Sequence, residues 1–315
     1  MVSFVVKERE RKTAVLKPPA FGCLKGVPAV NLTRGCLHRC VYCYARTFPE
    51  TPQGEVHLYV NLPQRLKREL EIRQRRGSWP EVITFSTASD LFQPHPRILS
   101  LAYEVLRVVL VREITVSFLT KGRLSGEVWG LLAEYRSLVK ARFGLVSLSP
   151  DYQRLFEPFA APSYLRLRQI ERCARLGIEV AARIDPVIPF VTDAPETIDS
   201  LLRHLANCGV KEVSVSYLVL RPGVVKQMRR ELPPQIWRKI LPAYHGQPWQ
   251  RVITSATTKL ARKEIRERGY RLFRELGKRY GLEVRLCGCK NPDLPFESCL
   301  PWDTRPASRQ KALFD

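Results

Sequence analysis

The segment GCLHRCVYCYAR, residues 35–46, places Cys36, Cys40 and Cys43 within eight residues. Thiolates bind soft metals, and three of them at these spacings can reach three corners of an iron–sulfur cube. A structural zinc site takes four ligands, and His38 lies too near the cysteines in sequence to complete a tetrahedron easily. The loop therefore predicts a 4Fe-4S cluster with one iron open to a small molecule. A zinc knuckle that includes His38 is the alternative.

Short β-like runs alternate with amphipathic helical segments along the chain. The first strand is predicted just before the cysteine loop, at 28–32, and the others at 81–87, 113–120, 143–149, 178–188, 211–219 and 282–287. Helices are predicted at 62–76, 97–111, 124–140, 162–176, 195–207 and 258–280. Such alternation indicates parallel βαβ units. A count of about seven strands favours a partial barrel over a closed eight-stranded one.

The same pattern divides the chain into four parts. Residues 1–27 are an N-terminal segment, 28–220 the barrel core, 221–286 a helical insertion with the last βα unit, and 287–315 a cysteine-containing C-terminal extension. The insertion is predicted because the Pro-rich segment 224–250 interrupts the alternation of strands and helices.

The composition is strongly basic, with 52 Lys and Arg against 30 Asp and Glu and a net charge of +22. Such an excess favours a polyanionic partner, because neutralised phosphates release their counterions. The charge therefore predicts a nucleic acid, DNA or RNA, as the partner. Aromatic residues that lie among the basic ones suit base stacking, although they could equally pack the helical insertion. They are Trp237, Tyr244, Trp249 and Tyr270.

The cysteines and the apolar runs predict the compartment. No apolar run reaches the roughly 20 residues of a membrane helix, and the N-terminus lacks a signal-peptide pattern. Nine cysteines in a chain without an export signal are more typical of metal binding than of disulfides. We therefore expect a cytoplasmic protein with no membrane partner.

Cys36-x3-Cys40-x2-Cys43, placed after the first strand of a βα series, resembles the radical S-adenosylmethionine superfamily. The resemblance implies a partial (β/α)6 barrel and a 4Fe-4S cluster held by the three cysteines. It also implies that S-adenosylmethionine chelates the fourth iron and is cleaved reductively to methionine and a 5′-deoxyadenosyl radical. An electron donor such as ferredoxin or flavodoxin is implied as a partner.

Within the superfamily, residues 28–220 resemble the spore photoproduct lyase and DNA repair photolyase group. RGCLHRCVYCYAR resembles the group's cysteine loop, FSTASDLFQP (85–94) its second-strand motif and FLTKGRL (118–124) its Thr-Lys motif. VSLSP (146–150) and the residues after it resemble the fourth and fifth βα units. The matches imply cofactor-binding residues at Tyr42, Tyr44, Ser89, Asp90, Lys121, Ser147, Arg183 and Asp185.

The resemblance gives several of these residues a specific role. It places Tyr42 beside the adenine, Lys121 at the cofactor carboxylate, and Ser147 at the ribose or the carboxylate. Each residue also has a structural interpretation, such as a surface lysine at Lys121. Ser89 and Asp90 could cap the helix that follows, and an ion pair at a strand end would account for Arg183 with Asp185.

Thr87 marks a departure from the group. Spore photoproduct lyases carry a hydrogen-donor cysteine two residues before the Ser of the Ser-Asp pair, and here that position is Thr87. A hydroxyl O–H bond is too strong to give a hydrogen atom to a carbon radical. The resemblance therefore leaves the hydrogen donor and the lesion unassigned.

A second cysteine group, Cys287-x-Cys289-x9-Cys299, follows the last predicted strand. Three interpretations are open. The group could hold a second iron–sulfur cluster, with Cys23 or a substrate atom as the fourth ligand. It could bind zinc. It could also remain as thiols, one of which serves as the hydrogen donor.

These features together predict a radical S-adenosylmethionine enzyme that acts on nucleic acid, by DNA-lesion repair or RNA modification. One alternative is a radical enzyme for a peptide or small molecule. The other is a non-catalytic iron–sulfur protein that binds nucleic acid.

Overall fold

The computed structural model describes residues 5–19, 22–252 and 256–295. In these ranges the strands are β1 (Val5–Arg9), β2 (Ala29–Val30), β3 (Thr33–Arg34), β4 (Glu55–Tyr59), β5 (Val82–Phe85), β6 (Thr115–Thr120), β7 (Val139–Gly144), β8 (Glu179–Val187), β9 (Glu212–Tyr217), β10 (Gln250–Arg251), β11 (Thr257–Thr258) and β12 (Glu283–Leu286). The α-helices are α1 (Leu62–Arg75), α2 (Pro96–Leu110), α3 (Gly126–Glu134), α4 (Pro150–Phe156), α5 (Ser163–Arg175), α6 (Pro195–Asn207), α7 (Pro222–Glu231), α8 (Pro234–Ile240) and α9 (Lys263–Arg279).

The main sheet has seven parallel strands in the order β2-β5-β6-β7-β8-β9-β12. Each strand pairs with the next strand of the sheet along the chain, and at least one helix lies in each connection from β5 onward. The carboxyl ends of parallel strands meet at one edge of a sheet, which is where barrel enzymes build their sites. The partial barrel predicted from the sequence is therefore confirmed.

The fourth predicted strand is displaced from its predicted range. It runs from Val139 to Gly144, and Val139 pairs with Val116 of β6. Helix α3 ends at Glu134, and a 3-10 turn at Arg136–Leu138 separates it from the strand. The prediction of a strand at 143–149 was wrong because residues 145 and 146 are buried in the connection to α4, where their apolar side chains imitate a strand.

A small second sheet supports the cysteine loop. Its order is β1-β4-β3, with β1 parallel and β3 antiparallel to β4. Because β3 ends just before the loop and β4 begins after it, both ends of the loop are fixed to one sheet. Gly35 leaves β3 with φ of 86°, and a Cβ there would lie 3.2 Å from the carbonyl oxygen of Glu55. This turn therefore needs glycine.

Most of the candidate stacking aromatics are structural. Trp237, Tyr244 and Tyr270 are buried in the core, whereas Trp249 is 44% exposed. The structural interpretation thus holds for three of the four, because their rings belong to the buried hydrophobic core. In the described part of the chain, no helix has the length and apolar character needed to cross a membrane.

Candidate active site

A cavity of about 530 Å³ opens at the carboxyl ends of the barrel strands. Cys36, Cys40 and Cys43 line it together with residues from the ends of β5, β6, β8 and β12. Seven of the predicted cofactor-binding residues also line it, namely Tyr42, Tyr44, Ser89, Asp90, Lys121, Arg183 and Asp185. The eighth, Ser147, is buried outside the lining, and its Oγ accepts a hydrogen bond from the backbone N–H of Ser149 at 3.1 Å.

Helix α7 holds the backbone of the cysteine loop. The side-chain amide of Gln227 donates to the carbonyl oxygens of Val41 at 2.8 Å and Cys43 at 3.3 Å. Arg46 donates to the Cys40 carbonyl at 3.2 Å and forms a two-point ion pair with Glu231 of α7 at 2.8 and 2.9 Å. Buried hydrogen bonds of this kind fix a loop that would otherwise have unsatisfied carbonyls.

The environment of Cys36 and Cys40 favours the protonated form of these two thiols. Burial raises the pKa of Cys36 well above its ordinary value, and the nearby Asp90 carboxylate adds to the effect. Burial, reinforced by Glu157, raises the pKa of Cys40 to about 12. A cationic group such as iron would have to displace these protons, as is usual when thiols become metal ligands.

Two buried polar atoms beside the thiols fit a bound cluster and cofactor. The Nδ1 atom of His38 lies 3.4 Å from the Asp90 carboxylate, while its Nε2 atom is buried without a hydrogen-bond partner. The hydroxyl of Ser89 is also buried without a partner. Each costs about 1–3 kcal/mol if it stays unsatisfied, so the cavity favours an occupant that offers hydrogen-bonding groups to both. The sequence indicates His38 only as a ligand in the alternative zinc site, and no sequence pattern predicts its contact with Asp90.

Zinc fits the loop less well than a cluster does. Among the described residues, no three His, Cys, Asp or Glu side chains converge on a point that could hold one ion. Cysteine sulfurs that hold a cluster bind separate corners of the cube. Three cysteines can therefore hold a cluster although their sulfurs do not converge on one point.

Asp90 joins three segments of the site. Its carboxylate accepts hydrogen bonds from the Thr120 hydroxyl at 2.7 Å and from the backbone N–H groups of Lys121 and Phe92, both at 2.8 Å. Its own backbone N–H donates to the sulfur of Cys36. Burial opposes ionisation, but the His38 ring and the hydrogen bonds outweigh it and lower the pKa of Asp90. The carboxylate is therefore committed to holding the loop and the end of β6 together.

Glu157 anchors the tyrosine of the loop. The Tyr42 hydroxyl donates to the Glu157 carboxylate, which also forms a buried ion pair with Arg166 at 2.6 Å. The Lys121 ammonium lies 5.9 Å from the centre of the Tyr42 ring. The ring and the ammonium thus form one wall of the cavity and are held from behind by Glu157.

Thr87 lies beside the second tyrosine. The Tyr44 hydroxyl donates to the Thr87 carbonyl at 2.9 Å, and the Thr87 hydroxyl accepts from the side-chain amide of Asn31 at 2.7 Å. The Arg221 guanidinium lies 4.5 Å from the centre of the Tyr44 ring. Thr87 occupies the position at which spore photoproduct lyases carry a cysteine, and here its hydroxyl is hydrogen-bonded to Asn31.

An ion cluster crosses the opposite wall. Asp185 accepts from Arg183 at 2.7 and 2.9 Å and from Lys290 at 2.6 Å. Burial alone would raise the pKa of Asp185, but Lys290 and Arg183 outweigh burial and lower it to about 2. The ion pair of Arg183 with Asp185, one of the two interpretations of these residues, is thus formed, and it lies inside the cavity.

The second cysteine group is brought to the same cavity. Cys23, Cys287 and Cys289 line it, and the backbone N–H of Cys23 donates to the Cys289 sulfur at 3.1 Å. The Cys287 sulfur lies 3.8 Å from the Arg183 guanidinium. Cys299 lies outside the described residues.

The open parallel barrel with its cysteine loop defines the class of protein. The family model described as the radical SAM superfamily matches residues 30–205. The chain belongs to the radical SAM superfamily, and membership implies a 4Fe-4S cluster and S-adenosylmethionine as cofactors.

The chain is similar to several particular proteins. An uncharacterized protein of Mycobacterium tuberculosis is 30% identical over 218 residues, which cover 67% of this chain and 64% of that protein. The uncharacterized protein ORF301 of Acidianus two-tailed virus is 22% identical over 197 residues, which cover 59% of this chain and 65% of that protein. The chain thus spans slightly less than two thirds of the length of these curated relatives.

Spore photoproduct lyase is a similar solved structure. A cysteine-to-serine variant superposes with a TM-score of 0.66 at 18% identity, covering 89% of this chain and 81% of that one. A second variant, with bound AdoMet and dinucleoside spore photoproduct, gives a TM-score of 0.65 at 17% identity with the same coverage. At these identities the likeness concerns the fold.

Proposed function

We propose that this chain is a radical S-adenosylmethionine enzyme that acts on nucleic acid. Cys36, Cys40 and Cys43 would hold the 4Fe-4S cluster, and the unpartnered Nε2 of His38 would donate a hydrogen bond to one of its sulfurs. The cluster supplies, when bound, the electron for reductive cleavage of S-adenosylmethionine, and a ferredoxin or flavodoxin would supply that electron in turn.

One observation carries the substrate class, namely the charge of the cavity that contains the cysteines. Seven of the lining residues are Lys or Arg, and two, Asp90 and Asp185, are acidic. Asp185 neutralises part of this charge, but the balance stays positive. A basic cleft attracts a polyanion, and about 530 Å³ is within the usual size of a small-ligand pocket. An extruded base together with the cofactor is thus a reasonable occupant.

Other lining residues would position the cofactor. The Lys121 ammonium suits the carboxylate of S-adenosylmethionine, because charge-assisted hydrogen bonds are the strong ones. The Ser89 hydroxyl, which lacks a partner in the described residues, offers one further hydrogen bond. Tyr42 presents its ring to the same wall, where it could stack on the adenine.

We also assign the hydrogen donor to the second cysteine group. Cys287 and Cys289 line the same cavity as the cluster cysteines. A thiol there can give its hydrogen atom to a carbon radical of the substrate, so that the S–H bond breaks, a C–H bond forms and the unpaired electron moves to sulfur. The alternative is that these cysteines are ligands of a second cluster. In that case the triple variant Cys36/Cys40/Cys43→Ala should still contain iron, and an iron-free triple variant would exclude the alternative.

The test of the proposed function is formation of 5′-deoxyadenosine by the anaerobically reconstituted protein with dithionite. Wild type should form it, and Cys43→Ala should not, because two thiolates cannot hold a cube with one open iron. Cys208→Ala is the matched control, since Cys208 is half-buried at the end of α6, outside the cavity lining.

The same assay separates the competing functions. Formation of 5′-deoxyadenosine that DNA or RNA does not alter, together with absence of binding to either, would favour a peptide or small-molecule substrate. Nucleic-acid binding with no cleavage of S-adenosylmethionine would indicate a non-catalytic iron–sulfur protein.

A further inference from the structure

A second open groove, of about 520 Å³, lies beside the cavity that contains the cysteines. It is formed by α8, the 3-10 turn Leu241–Tyr244 that follows, and residues next to β10 and β11. Val225, Leu241, Trp249 and Lys259 are among the residues that line it. The lining therefore combines apolar, aromatic and cationic side chains.

Trp249 is the feature of the groove that packing does not explain. Its ring is 44% exposed, while Trp237 on α8 is buried. The Lys259 ammonium lies 5.1 Å from the centre of the Trp249 ring, and Leu241, which also lines the groove, is 40% exposed. An exposed indole with an adjoining apolar surface costs free energy unless something covers it.

The charge of the groove indicates what covers it. Arg238, His245 and Lys259 line it, and no Asp or Glu is among the described residues of its wall. Cations beside an exposed aromatic ring form the arrangement that binds unpaired nucleic-acid strands, in which bases stack on the ring and phosphates meet the cations. A protein partner with a purely apolar surface would gain no binding energy from these cations.

The groove also adjoins the cavity. Leu220 and Lys259 exchange two backbone hydrogen bonds, at 2.8 and 3.0 Å, and both residues face the groove. Their chain neighbours Val219 and Thr258 line the cavity instead. The bridged backbone of Leu220 and Lys259 therefore separates the two spaces. An extended strand with one base in the cavity would place its neighbouring nucleotide near the groove.

We propose that this groove, which we call the Trp249 groove, binds an unpaired strand of nucleic acid next to the nucleotide that reacts. Trp249 stacks on the neighbouring base, and Lys259 and Arg238 neutralise its phosphates. The inference rests on the proposed nucleic-acid substrate and adds to it that the substrate is single-stranded or locally opened at the site.

The experiment is fluorescence anisotropy with labelled 12-nucleotide oligomers, as single-stranded DNA, single-stranded RNA and duplex DNA, at fixed salt. Trp249→Ala should weaken binding of the single strands about 5- to 100-fold, the usual effect of removing one stacking ring. Trp249→Phe, which keeps a ring, should retain most of the affinity. Comparison of the DNA and RNA arms identifies which strand the groove prefers.

Trp79→Ala is the matched control. Trp79 is 38% exposed and lies just before β5, at the opposite end of the barrel strands from the cavity. Its removal should leave binding unchanged. Equal affinities of wild type and Trp249→Ala for both single strands would overturn the proposal, as would an equal loss in Trp79→Ala.

Cleavage of S-adenosylmethionine without nucleic acid distinguishes this failure from failure of the proposed function. Wild type and Trp79→Ala should both form 5′-deoxyadenosine without nucleic acid, because Trp79 lines neither the groove nor the cavity. Normal cleavage by wild type, with binding unaffected in Trp249→Ala, would remove the groove and leave the enzyme assignment intact. Absence of cleavage in wild type would remove the enzyme assignment, and the binding comparison would still decide the groove.

Discussion

His38 and Asp90 link the cysteine loop to the end of β5 at the scale of single residues. The Asp90 carboxylate lies 3.4 Å from Nδ1 of the His38 imidazole. The other ring nitrogen, Nε2, is buried without a hydrogen-bond partner among the described residues. A hydrogen bond to a cluster sulfur stabilises the more negative, reduced state of the cluster. His38 would thereby set how readily the cluster accepts its electron.

We predict that His38→Leu makes the cluster harder to reduce. Loss of one charge-assisted hydrogen bond should shift the reduction equilibrium about tenfold, which is about 59 mV for one electron. Redox titration followed by electron paramagnetic resonance measures the shift. His38→Gln, which keeps an N–H donor, should shift less, and His204→Leu on the exposed face of α6 should not shift at all. An unchanged potential in His38→Leu would remove the proposed hydrogen bond.

The sequence could predict the three thiols but not the residues that surround them. The spacing of the three cysteines is enough to identify the motif, because ligands that are close in sequence can reach the same metal site whatever the rest of the fold. The contact of His38 with Asp90 joins residues on separate segments, and the clamp of Gln227 on the Val41 carbonyl spans 186 positions. Such contacts depend on the finished fold and leave no local pattern.

At the scale of elements, α9 is pressed against β9. A Cβ at Gly269 of α9 would lie 1.9 Å from the Tyr217 hydroxyl. Tyr217 is buried and its hydroxyl donates to Asp193 at 3.2 Å, so the ring cannot move aside freely. The glycine therefore sets how closely this helix approaches the sheet.

Gly269→Ala should lower the free energy of unfolding by about 1–3 kcal/mol, as overpacking of a core does. Helix propensity alone would predict the opposite sign. Gly130→Ala in α3 is the control, because its added Cβ meets nothing within 4 Å and should stabilise the protein by about 1 kcal/mol. Urea denaturation of the two variants checks both signs, and stabilisation by Gly269→Ala would contradict the packing argument.

The ion cluster at Asp185 ties the end of β8 to the turn after β12. Its folded-state pKa of about 2 lies below the ordinary value of 3.8. A lowered pKa means that the carboxylate contributes stability at pH values above the ordinary pKa and loses it as the pH falls through the folded value. The contribution is on the order of 2 kcal/mol.

Wild type should therefore exceed Asp185→Asn in unfolding free energy at pH 5, and the difference should shrink toward pH 2. Denaturant unfolding across this range measures it. Asp151→Asn is the control, since Asp151 forms an exposed pair with Arg154 that should contribute little. A difference between wild type and Asp185→Asn that stays constant with pH would show that the carboxylate charge is not its source.

The elements that were predicted well are those with an apolar face. Strand β8 and helix α6 follow their predicted ranges closely, because their periodicity reports burial. Strand β1 was not predicted, since four of its five residues are exposed and it carries no alternating apolar face. Its place is fixed by pairing with β4, about fifty residues further along the chain.

The whole molecule carries a net charge of +22, and this charge has a measurable consequence. If several phosphates are neutralised on binding, affinity for nucleic acid should fall about a hundredfold or more between about 50 and 200 mM salt. Anisotropy titrations at several salt concentrations test it. Affinity for S-adenosylmethionine over the same range is the control and should change little, because that cofactor is not a polyanion. Binding that salt does not weaken would remove the electrostatic basis of the substrate class.

The support that Gln227 and Glu231 give to the cysteine loop bears on how this chain can be divided. Both residues lie on α7, which begins at Pro222, whereas the family match ends at residue 205. A fragment cut at residue 220 would keep every cysteine of the loop and lose the helix that holds its carbonyls. The shortest fragment that keeps the loop in this shape is therefore longer than the region that matches the family model. In a chimaera that exchanges this helix for another, the incoming segment must bring a replacement for the Gln227 amide if the loop is to keep its shape.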